Sequence, residues 1–154
     1  MYKKMLVPLD MSEYAECVLD HAKEIATARA IPDVVLLTVV ESPLRQASYT
    51  YVGPEAAAAG ESRVRKAAEE YLEKVKGGLG LQSSNVSTVV ITGDPATEIL
   101  DYIEANDVDI VVMSSHGRSG VSKWFLGSVA ERVLRRSTAP LFLVPSIACR
   151  LNLD

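Results

Sequence analysis

The chain has 154 residues, 48% hydrophobic and 23% charged, with a formal net charge of −4. That length gives one domain by the prior of about 100–200 residues each, large enough to bury a core without metal or disulfide. The acidic balance argues against nucleic acid as a partner, since no basic excess exists to displace counterions, and no apolar run approaches the roughly 18 residues of a membrane span.

Met1-Tyr2-Lys3-Lys4 leads directly into a first strand, Lys3 to Leu9, too short for the apolar core of a secretory leader. The strand ends Pro8-Leu9-Asp10, and Asp10 with Glu13 three residues on is read as the cap of a helix from about Ser12 to Arg29. Ile31-Pro32-Asp33 breaks that helix. A second strand, Val34 to Val40, is apolar almost without alternation, as in strands covered on both faces. Glu41 to Gly53 reads as a loop, whose Tyr49 and Tyr51 are candidates for a lid. Pro54 suits the first position of a helix expected to run to Lys76 and to stop at Gly77-Gly78. Gly60 weakens its first turns.

A third strand is expected over Val86 to Thr92, and Gly93-Asp94-Pro95 starts a helix with Asp94 as cap and an end near Asn106. The fourth strand, Val108 to Met113, runs into a loop bearing Gly117, Gly120 and Gly127, then a helix whose start at Ser128, with Glu131 three residues later, matches a capping box. Ala139-Pro140 precedes a fifth strand, Leu141 to Val144; the domain is read as 1–145 and the tail as 146–154. Cys17 and Cys149 form no Cys-x2-Cys pair and are read as unpaired, which implies a reducing cytoplasm.

Strictly alternating strands and helices imply an α/β fold, an open five-stranded parallel sheet with helices on both faces. The expected strand order is 3-2-1-4-5. In that order the first and fourth strands meet at the topological switch point, where open sheets bind ligands. Asp10 then faces the glycine loop, whose backbone N–H groups and helix start form an anion site. The fifth strand lies at an edge with no charge to blunt it, so a homodimer through Leu141–Val144 is expected, the alternative being a tail that folds back to cover that edge.

Two phosphate motifs are absent: neither Gly-x4-Gly-Lys-Ser/Thr nor a strand-following Gly-x-Gly-x2-Gly occurs. What stands instead is Ser114-Ser115-His116-Gly117, nine residues, then Gly127-Ser128. Together with Leu6-Val7-Pro8-Leu9-Asp10 and Val129-Ala130-Glu131-Arg132-Val133-Leu134, this resembles the Gly-x2-Gly-x9-Gly-Ser/Thr pattern of the universal stress protein family over essentially the whole chain. The resemblance implies a cytoplasmic, homodimeric, nucleotide-responsive stress or signalling module that binds ATP, or AMP or cyclic AMP instead. Mg2+ or Mn2+ would accompany the phosphates. It implies Pro8, Leu9 and Asp10 beside adenosine, with Asp10 toward the ribose, and Val39 against adenine. Met113, Ser114, Gly117, Gly127, Ser128 and Val129 would surround ribose and phosphates; Arg118 is read as supplying charge to the phosphates or as solvated. Ser114 departs from the pattern's first glycine, and its hydroxyl is a candidate donor to the ligand.

No catalytic residue is assigned. Phosphoryl transfer needs a positioned cation and a group that orients the nucleophile, and the motif offers no lysine. His116 is read as part of the loop's structure, because no second histidine, cysteine nucleophile or paired carboxylate is placed beside it. Lys123 is read as solvated or charge-supplying, and Trp124 and Phe125 as core or interface residues. The alternatives are a slow ATPase or nucleotidyl-transfer enzyme, and a nucleotide-free interaction dimer.

Overall fold

The computed structural model describes residues 1–41, 53–116 and 126–145. Five parallel strands, β1 (Lys4–Pro8), β2 (Asp33–Val40), β3 (Asn85–Thr92), β4 (Ile110–Ser114) and β5 (Leu141–Val144), form one sheet in the order β3-β2-β1-β4-β5. The helices are α1 (Glu13–Glu16), α2 (Val18–Ala28), α3 (Pro54–Leu79), α4 (Pro95–Ala105) and α5 (Ser128–Arg136). Fold class and strand order are therefore as the sequence implies.

The uninterrupted apolar character of β1, β2 and β4 has a direct cause: successive side chains enter two different cores. Met5, Val7, Val34, Leu36 and Val112 pack on one face with Ala22 and Ala26 of α2 and Leu72 of α3. Leu6, Val35, Leu37, Val111 and Met113 pack on the other with Ile99 and Ile103 of α4 and Val133 of α5. Most of these side chains are fully buried, and each of the larger aliphatic ones contributes about 1.5–3 kcal/mol relative to exposure.

Several element ends differ from the sequence reading. The first helix divides at Cys17, and its cap is Ser12, whose hydroxyl accepts from Ala15 N–H; the carboxylate of Asp10 instead accepts from Ser12. The long helix passes through Gly77 and Gly78 and stops at Gly80, which takes the left-handed conformation at φ 64°. Ser128 is the first helical residue of α5 rather than its cap; Gly127 holds the cap position without a side-chain bond, and Glu131 pairs with Arg135 at 2.9 Å. The fourth strand starts at Ile110 and includes Ser114. Asp94 caps α4 as read, accepting from Thr97 N–H at 3.1 Å. Cys17 is disulfide-bonded and not a free thiol, so the cysteine argument for a reducing compartment falls. Among the described residues no helix is long and apolar enough to cross a membrane.

Candidate functional site

The site begins where β1 and β4 end. Beyond Pro8, Leu9 continues the ladder by donating to Leu37 O at 2.8 Å. The chain then turns at Met11, whose φ of 65° is unusual for a residue with a side chain. The Asp10 carboxylate bridges this turn, accepting from the backbone N–H of Ser12 at 3.0 Å and from its hydroxyl. Asp10 is thereby fixed at the carboxyl end of β1 by the loop that also caps α1. Nearby, burial and then the Glu16 and Asp10 carboxylates push the Tyr71 phenol well above its ordinary range, so it stays neutral.

At the end of β4 the backbone is held from three sides. Ser115 N–H donates to Val144 O at 2.9 Å, and Gly127 N–H donates to Ser115 O at 2.8 Å. The Ser114 hydroxyl donates to His116 O at 2.8 Å and accepts from His116 N–H at 3.3 Å. The structure thus corrects one expectation: the Ser114 hydroxyl hydrogen is committed within the loop and not offered to a ligand. The start of α5 is brought alongside. Glu131 N–H closes the first helical bond to Gly127 O at 2.8 Å, while the N–H groups of Ser128, Val129 and Ala130 have no acceptor within the helix. The positive end of the helix dipole therefore lies against the end of β4.

A clasp between helices sets where α5 begins. Arg132 reaches Asp94 Oδ2 at 2.8 Å and the Thr97 hydroxyl at 3.1 Å. The Thr97 hydroxyl and N–H, followed by Arg132, hold the Asp94 carboxyl below the usual carboxylate range. Both partners are partly exposed, so the ion pair itself contributes little; its effect is geometric, tying α5 to the capped start of α4.

These elements enclose a cavity of about 450 Å³, within the range of small-molecule sites. Pro8, Leu9 and Asp10 line it from β1 and Val39 from β2. Met113 and Ser114 line it from β4, and Gly127, Ser128 and Val129 from α5. Nine positions read from the sequence thus share one cavity wall; Gly117 and Arg118 lie outside the described residues, as do Tyr49, Tyr51, Lys123, Trp124, Phe125 and the tail. The wall also includes residues the sequence reading passed over, among them Glu41, Ser115, Val64 and Ile99. Ser115 could have been found by its place between two motif positions. Val64 lies on α3, and no motif marks it.

The described wall is uneven in charge. Asp10 and Glu41 are its ionisable acids, and no lysine or arginine is among its described residues. Among the described residues no cluster of three or more His, Cys, Asp or Glu could hold a metal ion. The arrangement offers backbone donors at a helix start, an acid at the neighbouring strand end, and apolar side chains between them.

The universal stress protein family profile matches residues 1–145. The chain is 31% identical to universal stress protein MJ0577 of Methanocaldococcus jannaschii, over 94% of this chain and 95% of that protein. It is 33% identical to a universal stress protein of Methanothermobacter thermautotrophicus, covering 96% and 98%. The solved structure of MJ0577 superposes with a TM-score of 0.81 at 32% identity, covering 94% of this chain and 96% of that one. With its β3-β2-β1-β4-β5 sheet and its profile match across both strand ends and the α5 start, the chain belongs to the universal stress protein family.

Proposed function

We propose that the protein binds an adenine nucleotide, ATP in the first instance with AMP or cyclic AMP as alternatives, in the cavity between the ends of β1 and β4. The observation that carries this reading is the juxtaposition of Asp10 with the α5 start across one cavity of about 450 Å³ at the switch point. A carboxylate at one end suits ribose hydroxyls, which donate hydrogen bonds, and N–H groups at a helix start suit phosphate oxygens, which accept them. Val39, Ile99 and Val64 supply apolar surface for a base. A universal stress protein of the same fold was solved in complex with cyclic AMP (TM-score 0.63, 21% identity, covering 94% and 98%). One from Arabidopsis thaliana was solved with AMP bound (TM-score 0.65, 16% identity, covering 93% and 91%).

Because no described acidic or histidine cluster forms a metal cage, an accompanying Mg2+ or Mn2+ would be held mainly by the phosphates themselves. The module acts as a cytoplasmic homodimer joined along β5, and nucleotide occupancy biases which partners it engages. Denaturing the purified protein and identifying released small molecules by mass spectrometry tests the reading. An adenine nucleotide in the extract, or calorimetric binding of ATP, AMP or cyclic AMP to the stripped protein, is expected. Absence of both would contradict it.

A further inference from the structure

Helices α4 and α5 share one apolar core: Ile99 and Ile103 of α4 pack in the same cluster as Ala130 and Val133 of α5. Apolar contact is non-directional, so it holds the two helices together without fixing how one sits along the other. Directional bonds do that. On the sheet side, Gly127 N–H donates to Ser115 O at 2.8 Å. On the α4 side, the Arg132 guanidinium closes a ring of three groups. It donates to Asp94 Oδ2 at 2.8 Å and to the Thr97 hydroxyl at 3.1 Å, while that hydroxyl donates to the same Asp94 Oδ2 at 2.7 Å. Thr97 thus accepts and donates at once, and the planar guanidinium is held at two points rather than one.

Both ends of this ring lead into the cavity wall without being part of it. Pro95 and Ile99 line the cavity from α4, directly after Asp94, and Gly127, Ser128, Val129 and Ala130 line it from the α5 start, directly before Arg132. A ligand seated between them has to span from the apolar α4 side to the N–H groups of α5, and the ring sets that span. Both charged side chains are partly exposed, so their ion pair adds little stability. Its loss therefore shifts the α5 start without unfolding the domain.

We propose that Arg132 is a positioning residue for nucleotide binding, acting through Asp94 and Thr97 to hold the α5 start at the distance from Pro95 and Ile99 that one nucleotide spans. The inference rests on the nucleotide reading of the cavity and assigns the residues that set its width. It is tested by calorimetric titration of adenosine, AMP and ATP into the wild type and variants, with ¹⁵N–¹H spectra of the ligand-free proteins.

In Thr97→Val and Arg132→Met, affinity for AMP and ATP falls about fivefold, the scale of residues that act at a distance from the ligand, while adenosine, which lacks phosphates, binds as before. The double variant loses no more than either single one, because both break the same ring. Thr97→Ser, which keeps the hydroxyl, binds as the wild type does. Arg132→Lys, which keeps the charge but not the two-point reach, does not. The amide signals of Ser128 and Val129 move in Thr97→Val and Arg132→Met and stay in place in Arg135→Met, whose ion pair with Glu131 lies within α5.

Wild-type ATP affinity in Thr97→Val or Arg132→Lys, a loss in Thr97→Ser equal to that in Thr97→Val, equal losses for adenosine and its phosphates, multiplied losses in the double variant, or unmoved amide signals would each overturn the inference while leaving the nucleotide reading intact. Failure of the wild type to bind any of the three ligands would overturn both.

Discussion

At the scale of single residues, the fold tolerates unsatisfied or strained groups at a few named places. Thr38 is fully buried in β2, and its hydroxyl has no hydrogen-bond partner. Replacing that hydroxyl by a methyl group removes an unmet polar atom at nearly constant volume. Thr38→Val is therefore expected to raise unfolding free energy by about 1 kcal/mol in urea titration, and a loss of stability would show that the hydroxyl is satisfied after all. Asp10, Gly127 and Ser128 were legible as positions of the cavity wall because strand ends and glycine spacing are written in the chain. Other features were not. A left-handed Met11 at φ 65° has no sequence signal, and the direction of the Ser114 hydroxyl depends on the position of His116 O, which the loop decides. Val64 enters the cavity wall through the packing of α3, which local pattern does not encode.

At the scale of elements, caps and stops decide where each helix begins and ends. Asp94 shows how a cap couples to pH. Its carboxyl is held below the ordinary range by the Thr97 hydroxyl and N–H and by Arg132. A depressed folded value means that this stabilisation is fully present above the unfolded carboxylate pKa of about 3.9. It is lost as pH falls through the still lower folded value. Thermal unfolding of Asp94→Asn should therefore show a lower midpoint at pH 7 than the wild type and a shallower decline as pH falls below about 4. Parallel acid profiles would contradict the role of this carboxylate, and the effect is small because the Arg132 pair is partly exposed.

The end of α3 gives a second test. Gly80 has φ 64°, so Gly80→Ala should cost about 1 kcal/mol. An added methyl at Gly77 meets nothing within 4 Å, and Gly77→Ala should add about 0.5–1 kcal/mol of helix stability. The two glycines at 77 and 78 looked like a stop because glycine composition marks a possible end; the end itself depends on which glycine turns left-handed. The cap at Asp94, by contrast, was legible because Asp94-Pro95 states both the acceptor and the preset first turn.

At the scale of the whole molecule, the strand order was legible because alternation of strands and helices leaves few ways to wind a parallel sheet. That order brings the ends of β1 and β4 together, and the cavity follows from it. It also leaves β5 at the edge of the sheet, where Phe142 is 41% exposed and its ring lies tilted against that of His21 of α2, centroids 5.8 Å apart. An apolar edge of this kind is expected to pair with a second copy. Phe142→Glu should then shift sedimentation from dimer to monomer while leaving the circular dichroism unchanged; a wild type that sediments as a monomer, or a variant that remains dimeric, would contradict pairing through β5.

Gly127 has φ −61° and ψ 150°, dihedrals open to any residue, so a valine there alters the wall of the site without straining the backbone. The most direct measurement is calorimetric titration of ATP into nucleotide-stripped wild type and Gly127→Val. Saturable binding to the wild type is expected, with a loss of at least about tenfold in affinity in the variant, equivalent to about 1.4 kcal/mol, and with both proteins folded. Equal ATP binding by the two proteins, or none by the wild type, would contradict it.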